Sequence, residues 1–237
     1  MIPTVLAAVF LLAPNQTPGV DDLLSRGFRD AAFTGRVTKA VQGELGKINK
    51  DFANSYRFSY SKVMVKEPFM LRLESKVDDT DILFILNGTT RIVRIPRARI
   101  SQRENLSKAP GKRQTLLDFG ILTASMFRNF LVAKYVRTDR ASGDYVFDLT
   151  YEKSLDDTSR YRVWVDPDKR YITKREWYNQ EGRQLATFTY ENPARDGNTY
   201  FPTRLTVRNV DNKVAGVTEY EGLKLNGGLA DSLFDVR

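Results

Sequence analysis

From Phe33 onward apolar and polar positions alternate with a period of two. Tyr56, Phe58 and Tyr60 alternate with Arg57, Ser59 and Ser61, and Phe69, Leu71 and Leu73 with Met70, Arg72 and Glu74. The pattern returns at Tyr145, Phe147, Leu149 and Tyr151, at Tyr161, Val163 and Val165, at Ala186, Phe188 and Tyr190, and at Phe201, Leu205 and Val207. Side chains of a strand point to opposite faces in turn, so this alternation predicts strands with one dry and one wet face. Turn signals lie between the runs: Asp78-Asp79, Asn87-Gly88, Ser142-Gly143, Asp166-Pro167-Asp168, Glu181-Gly182, Asp196-Gly197 and Asp211-Asn212. They predict hairpins and a meander, because no helix-length segments separate the strands as parallel pairing would need. The acidic clusters are read as turn tips rather than as calcium ligands.

Two stretches break the period. In residues 20–32, Leu23, Leu24, Phe28 and Ala31 recur at helical intervals behind Asp21 and Asp22, which predicts an N-terminal helix. In residues 115–131, Leu116, Phe119, Leu122, Met126 and Phe130 form a helical stripe, with Leu117, Ile121 and Phe127 beside it. Gly120 and Thr123 are expected to divide this segment into two short helices, Thr123 capping the second. Such an apolar insert is either a plug that completes the core or a lid over a cavity.

Composition removes much chemistry. The chain has 237 residues, no cysteine and no histidine. Thiol catalysis, disulfides, lipid attachment through an N-terminal cysteine, histidine-based zinc sites and His-dependent triads are therefore excluded. No spacing of Tyr, Ser, Lys or carboxylates singles out an acid, base or nucleophile, so no catalytic residue, metal ligand or cofactor is expected. The net charge is +8, and residues 91–113 hold eight basic side chains against Glu104 alone, +7 of that excess. If residues 97–103 were extended, Arg97, Arg99 and Arg103 would share one face. That face suits an anionic membrane or acidic partner, and its alternative reading is a solvated strand edge.

Residues 2–13 form an apolar run too short to span a bilayer, followed by the polar turn of residues 14–19. Residues 1–19 read as a signal peptide with a short linker, although no basic residue precedes the run and Pro14 follows Ala13 awkwardly for cleavage. The other reading is a buried N-terminal segment. An exported protein has little access to nucleic acid, which disfavours that partner for the arginine stripe. Residues 20–237 lack a linker or repeat and read as a single domain.

In their order, several phrases resemble the LolA/LolB-like family of outer membrane lipoprotein-sorting proteins. They are Phe33-Thr34-Gly35, the Pro68-to-Arg72 hairpin entry, Asn87-Gly88 followed by residues 92–96 ending in Pro96, Trp164-Val165-Asp166, Gly182, Phe201-Pro202 and the closing residues 226–234. The resemblance implies a mainly β fold: a strongly curved, unclosed antiparallel half-barrel whose concave apolar face is covered by the N-terminal and mid-chain helices. It implies a periplasmic, monomeric carrier that binds acyl chains of lipoproteins or phospholipids without cofactor. An inner-membrane release complex and an outer-membrane receptor would be its handover partners. The cavity would be lined by Tyr56, Phe58, Tyr60, Phe69, Leu71, Leu73, Tyr145, Phe147, Leu149, Phe188, Tyr190, Leu205 and Val207. Its lid would carry Leu116, Phe119, Leu122, Met126, Phe127 and Phe130. One position departs from the family: the basic residue that can hold the lid, just before the hairpin proline, is Glu67 here, with Arg72 as a substitute. A periplasmic sensor domain that binds a protein partner is the alternative function on the same sheet.

Overall fold

The computed structural model describes residues 17–77 and 79–237. The leader reading of residues 1–19 thus lies almost wholly outside the described residues. β1 (Asp30–Ala40) is followed by α1 (Gln42–Gly46) and α2 (Lys50–Ser55). A meander follows, of β2 (Tyr60–Lys66), β3 (Met70–Val77), β4 (Thr80–Asn87), β5 (Thr90–Ile95) and β6 (Ile100–Asn105). Residues 106–130 carry no strand and lead to β7 (Leu131–Thr138), β8 (Tyr145–Tyr151), β9 (Arg160–Val165), β10 (Ile172–Tyr178) and β11 (Gln184–Glu191). The small hairpin of β12 (Ala194–Asp196) and β13 (Thr199–Phe201) precedes β14 (Arg204–Asn209) and β15 (Val214–Leu225).

Thirteen of these strands form one antiparallel sheet in the order β6-β5-β4-β3-β2-β1-β15-β14-β11-β10-β9-β8-β7. The two meanders join where β1 pairs with β15, the first and last strands of the chain. Register shifts interrupt that pairing between Ala32 and Thr34 and between Val37 and Lys39. Bulges of this kind increase local twist and bend a strand, which curls a sheet into a trough. The trough does not close, and β6 and β7 remain its two edges.

Register assigns the concave face. Phe84, Leu73, Val63 and Phe33 lie opposite one another across β4, β3, β2 and β1. In the other half the row runs Phe147, Val163, Arg175, Phe188, Val207 and Gly216 across β8, β9, β10, β11, β14 and β15. Gly216 has a specific use, because a Cβ there would stand 2.3 Å from the ring of Tyr56. The convex face has its own buried patch over β3 and β4. The C-terminal turn Asp231–Phe234 packs there with Phe234 fully buried, while Arg72 and Asn87 donate to the carbonyls of Leu233 and Phe234.

The mainly β architecture and its hairpins are as the alternation predicts, but three local expectations fail. Residues 20–32 do not form a helix: a 3-10 turn covers Val20–Leu23, Gly27 has φ +75°, and β1 already begins at Asp30. Pairing with β2 and β15 on both sides outweighs the helical spacing. The strand expected from Tyr56 begins only at Tyr60, because the Asn49 side chain accepts a 2.6 Å hydrogen bond from Phe52 N and starts α2 instead. The mid-chain segment does divide into two short helices at Gly120 and Thr123, both of the 3-10 type: Leu116–Phe119 with Gly120 at its C-cap, and Ala124–Phe127 with Thr123 at its N-cap. Thr123 does not cap the second turn through its side chain.

A candidate ligand-binding cup under the mid-chain cap

The trough is lined by hydrocarbon and closed by the mid-chain segment. Six expected lining residues, Leu71, Phe147, Leu149, Phe188, Tyr190 and Val207, are buried in its core, and Phe69, Leu73, Tyr145 and Leu205 pack against that core partly buried. Tyr56 is buried as well, but it reaches the core from the C-cap of α2 rather than from a strand. Burial pushes its phenol up to about 12. Phe58 precedes β2 and does not belong to the core, and Tyr60 is 42% exposed, opposite Arg36 on β1. With Val63 and Val65 directed inward, the period of two turns Tyr60 outward.

The cap contributes Leu116, Leu117, Ile121, Leu122, Met126 and Phe130 as buried side chains, with Phe119 and Phe127 partly buried. Phe119 enters an aromatic cluster with Phe33, Phe201 and Tyr220, its ring centroid 5.6 Å from Phe33 and 6.4 Å from Phe201. Without a ladder, individual polar bonds tie the cap to the trough. Backbone N–H groups of Ile172 and Ser25 donate to the carbonyls of Gly120 and Leu122 at 2.8 and 2.9 Å. The Tyr190 hydroxyl donates to Leu117 O at 3.1 Å. Thr123 Oγ1 donates to Glu67 Oε1 at 2.8 Å. Glu67 thus holds the cap as an acceptor, at the position where the family resemblance implied a cation. Arg72 does not take over that duty: it faces outward, bonded to Glu74 and Leu233 O.

One further tie is ionic. Arg175 Nη1 lies 2.8 Å from Asp118 Oδ1, with the Arg175 side chain 5% exposed and that of Asp118 38%. The guanidinium stacks over Phe188 at 4.2 Å and reaches Tyr161 at 5.2 Å. Burial opposes its charge, yet Tyr190, Asp118 and Tyr161 bring the net shift upward, so the group stays cationic. Arg113 lies between two rings, 3.7 Å from the Phe69 centroid and 4.8 Å from that of Phe130, and burial lowers its pKa to about 10. The Nε atoms of both arginines are buried and, among the described residues, without a hydrogen-bond partner.

Two small clefts flank the cap. One, with room for little more than a water molecule, is lined by residues that include Val65, Glu67, Phe69, Leu71, Gln114 and Met126. The other, equally narrow, lies among Arg113, Asp118, Phe130, Tyr151 and Tyr161. The Tyr151 and Tyr161 hydroxyls are 3.0 Å apart, and burial raises both pKa values. The alternation identified neither Arg175 nor its partner. A legible signal existed in Lys174, Arg175, Glu176 and Trp177, where a period of two puts Arg175 on the same face as Trp177.

The expected arginine stripe is not an extended face. Arg97 lies in the 3-10 turn Pro96–Ala98, Arg99 has φ +53°, and Arg103 lies on edge strand β6 opposite Ile92. Pro96 starts a turn where an extended chain was assumed. All three are exposed, and among the described residues none has a carboxylate within 4.0 Å. Among the described residues no helix is long and apolar enough to cross a membrane.

Solved structures share the whole architecture at low sequence identity. A domain assigned as an outer membrane lipoprotein-sorting protein from Vibrio parahaemolyticus is 13% identical, with 89% of this chain and 91% of that chain covered and a TM-score of 0.59. A LolA superfamily protein from Nitrosomonas europaea is 18% identical over 91% and 93% of the two chains, with a TM-score of 0.57. A DUF1329 family protein from Desulfovibrio piger is 14% identical over 91% and 92%, with a TM-score of 0.57. No curated protein matches the chain by sequence. A family model described as "uncharacterized protein" matches residues 61–237, and the chain belongs to that family, with a LolA-like fold.

Proposed function

We propose that the protein is a periplasmic carrier or binder of acyl chains, from lipoproteins or phospholipids, which enter the trough when the cap of residues 115–131 moves aside. The observation that carries this reading is the cap itself, which fills an apolar trough by side-chain packing and isolated polar bonds rather than by strand pairing. Magnitudes favour exchange. Burying each of six apolar cap side chains contributes roughly 1.5–3 kcal/mol, and each methylene of an acyl chain about 0.8 kcal/mol. A chain of about fifteen methylenes therefore offers stabilisation of the same order as the cap. Hydrocarbon can then replace the cap at modest net cost, and no catalytic group is required. The fold shared with an assigned lipoprotein-sorting domain supports this reading over a sensor domain. Cleavage within the leader of residues 1–19 would deliver the protein to the periplasm.

Hydrogen exchange with and without palmitate tests the proposal. Segments that open for ligand come from the less stable parts of a fold. Amides of residues 115–131 should exchange faster than those of β1, β2 and β15, and palmitate should change their rates. Slow exchange indifferent to palmitate would leave the segment as a permanent plug and end the carrier reading.

The exposed hairpin of β5 and β6 supplies a surface for anionic headgroups, through Arg97, Arg99 and Arg103. Replacing all three by Glu should weaken binding to vesicles containing phosphatidylglycerol at least tenfold at low salt. Wild-type binding should itself fade toward physiological salt as screening shortens the range of the charges. Equal binding by both proteins at each salt concentration would identify the hairpin as a solvated edge.

A further inference from the structure

Arg175 is out of place for a trough that stores hydrocarbon alone. It stands on the concave face between Val163 and Phe188, and its side chain is 5% exposed. Among the described residues its carboxylate partner is Asp118, which belongs to the cap. Any movement that takes the cap away from the sheet takes away this counter-ion. An unpaired buried cation is strongly disfavoured, so an occupant that is only hydrocarbon would leave the open state incomplete.

The surroundings are built for an anion. Arg113 lines the same cleft as Asp118, Tyr151 and Tyr161, and among the described residues it has no carboxylate within 4.0 Å. The buried Nε atoms of Arg113 and Arg175 both lack acceptors among the described residues, and Asp118 of the cap is paired with Arg175 alone. Asp157, which also acts on the Tyr151 and Tyr161 hydroxyls, is engaged by the backbone N–H and hydroxyl of Ser159 at 2.9 and 2.6 Å. Guanidinium and phenol groups are donors that match the oxygens of a carboxylate or phosphate.

We propose that the cup takes amphiphiles with an anionic head group, carboxylate or phosphate, which replaces Asp118 as the counter-ion of Arg175 while Arg113 supplies a second donor. The inference rests on the carrier reading and adds a head-group preference to it. The acyl chain occupies the space of the cap's apolar side chains, and the head group occupies the place of the Asp118 carboxylate. Asp118 is then a competitor of the ligand, an internal anion that fills the site while no cargo is bound.

Binding of palmitate, hexadecyl phosphate and hexadecanol to the full chain, followed by Trp177 fluorescence, separates the outcomes. Trp177 packs partly buried against the core and faces the same side as Arg175, so it reports on the cup. Wild type should bind palmitate or hexadecyl phosphate at least tenfold more tightly than hexadecanol, and the tighter of the two anions identifies the head group. Arg175→Met should lose that preference while still binding hexadecanol. Asp118→Asn should bind the anions more tightly than wild type, and its melting temperature should rise more on adding them. This second variant keeps the test decisive if Arg175→Met fails to fold. Equal affinity for palmitate, hexadecyl phosphate and hexadecanol, unchanged in Asp118→Asn, would overturn the head-group proposal and leave the carrier reading intact. Binding of none of the three would overturn both.

Discussion

Replacing Phe201 by Ala should cost about 3–5 kcal/mol of stability, the range for removing a buried phenylalanine ring from a close-packed core. The ring is fully buried where the two meanders meet. Its centroid lies 5.5 Å from Phe33 on β1, 6.1 Å from Phe28, 6.3 Å from Tyr220 on β15 and 6.4 Å from Phe119 of the cap. These neighbours come from four parts of the chain, and the β1–β15 pairing fixes two of them, Phe33 and Tyr220, so the cluster cannot collapse far into the vacated space. Urea unfolding monitored by circular dichroism should show a lower midpoint with an unchanged slope, since the surface exposed on unfolding barely alters. A loss below about 1 kcal/mol would show that the cluster relaxes freely and that the trough around it is loosely filled. Phe201→Leu should fall between wild type and the Ala variant.

The strands were legible because alternation depends only on which side chains face the core. The hairpin positions of Asn87-Gly88, Glu181-Gly182 and Asp211-Asn212 followed from local turn chemistry, and those segments do connect β4 to β5, β10 to β11 and β14 to β15. What the sequence could not express locally was pairing between distant segments. Nothing near Ala31 announces that it will lie opposite Leu225, and that pairing decides that residues 30–32 extend rather than coil. The same holds for the convex patch, where Phe234 supplies the cover from a C-terminal segment without sheet periodicity. In the cap, helical spacing correctly singled out Leu116, Leu122, Met126 and Phe130 as buried. It left the helix type open, because short 3-10 helices also bring residues three apart to one side. Arg175 escaped notice for a related reason. A charged residue is normally assigned to the wet face of a strand, and only the register of β9, β10 and β11 reveals that this one lies inside.

Gly120 ties the cap's shape to its seat, and Gly120→Ala should cost on the order of 3 kcal/mol through two separate causes. The first is the backbone. Its φ is +80°, in the left-handed region where a Cβ crowds the following carbonyl, at roughly 1–2 kcal/mol for an L residue. The second is space. A Cβ would stand 2.9 Å from ring carbons of Tyr190 and 3.1 Å from Pro202 Cγ, and forcing a group into a packed core costs roughly 1–3 kcal/mol. Tyr190 cannot retreat easily, because its ring is buried and its hydroxyl donates to Leu117 O. Relief has to come from the cap, which carries the offending atom. Lifting it would strain the bonds from Ile172 N to Gly120 O and from Arg175 to Asp118 together. The variant should therefore show faster amide exchange in residues 115–122 before the sheet responds, and should take up an apolar dye that wild type excludes. A stability loss of the expected size with unchanged exchange in the cap would mean that the strain spreads into the sheet, and that cap and sheet open as a single unit. Loss confined to the cap would identify Gly120 as the point from which the trough is uncovered.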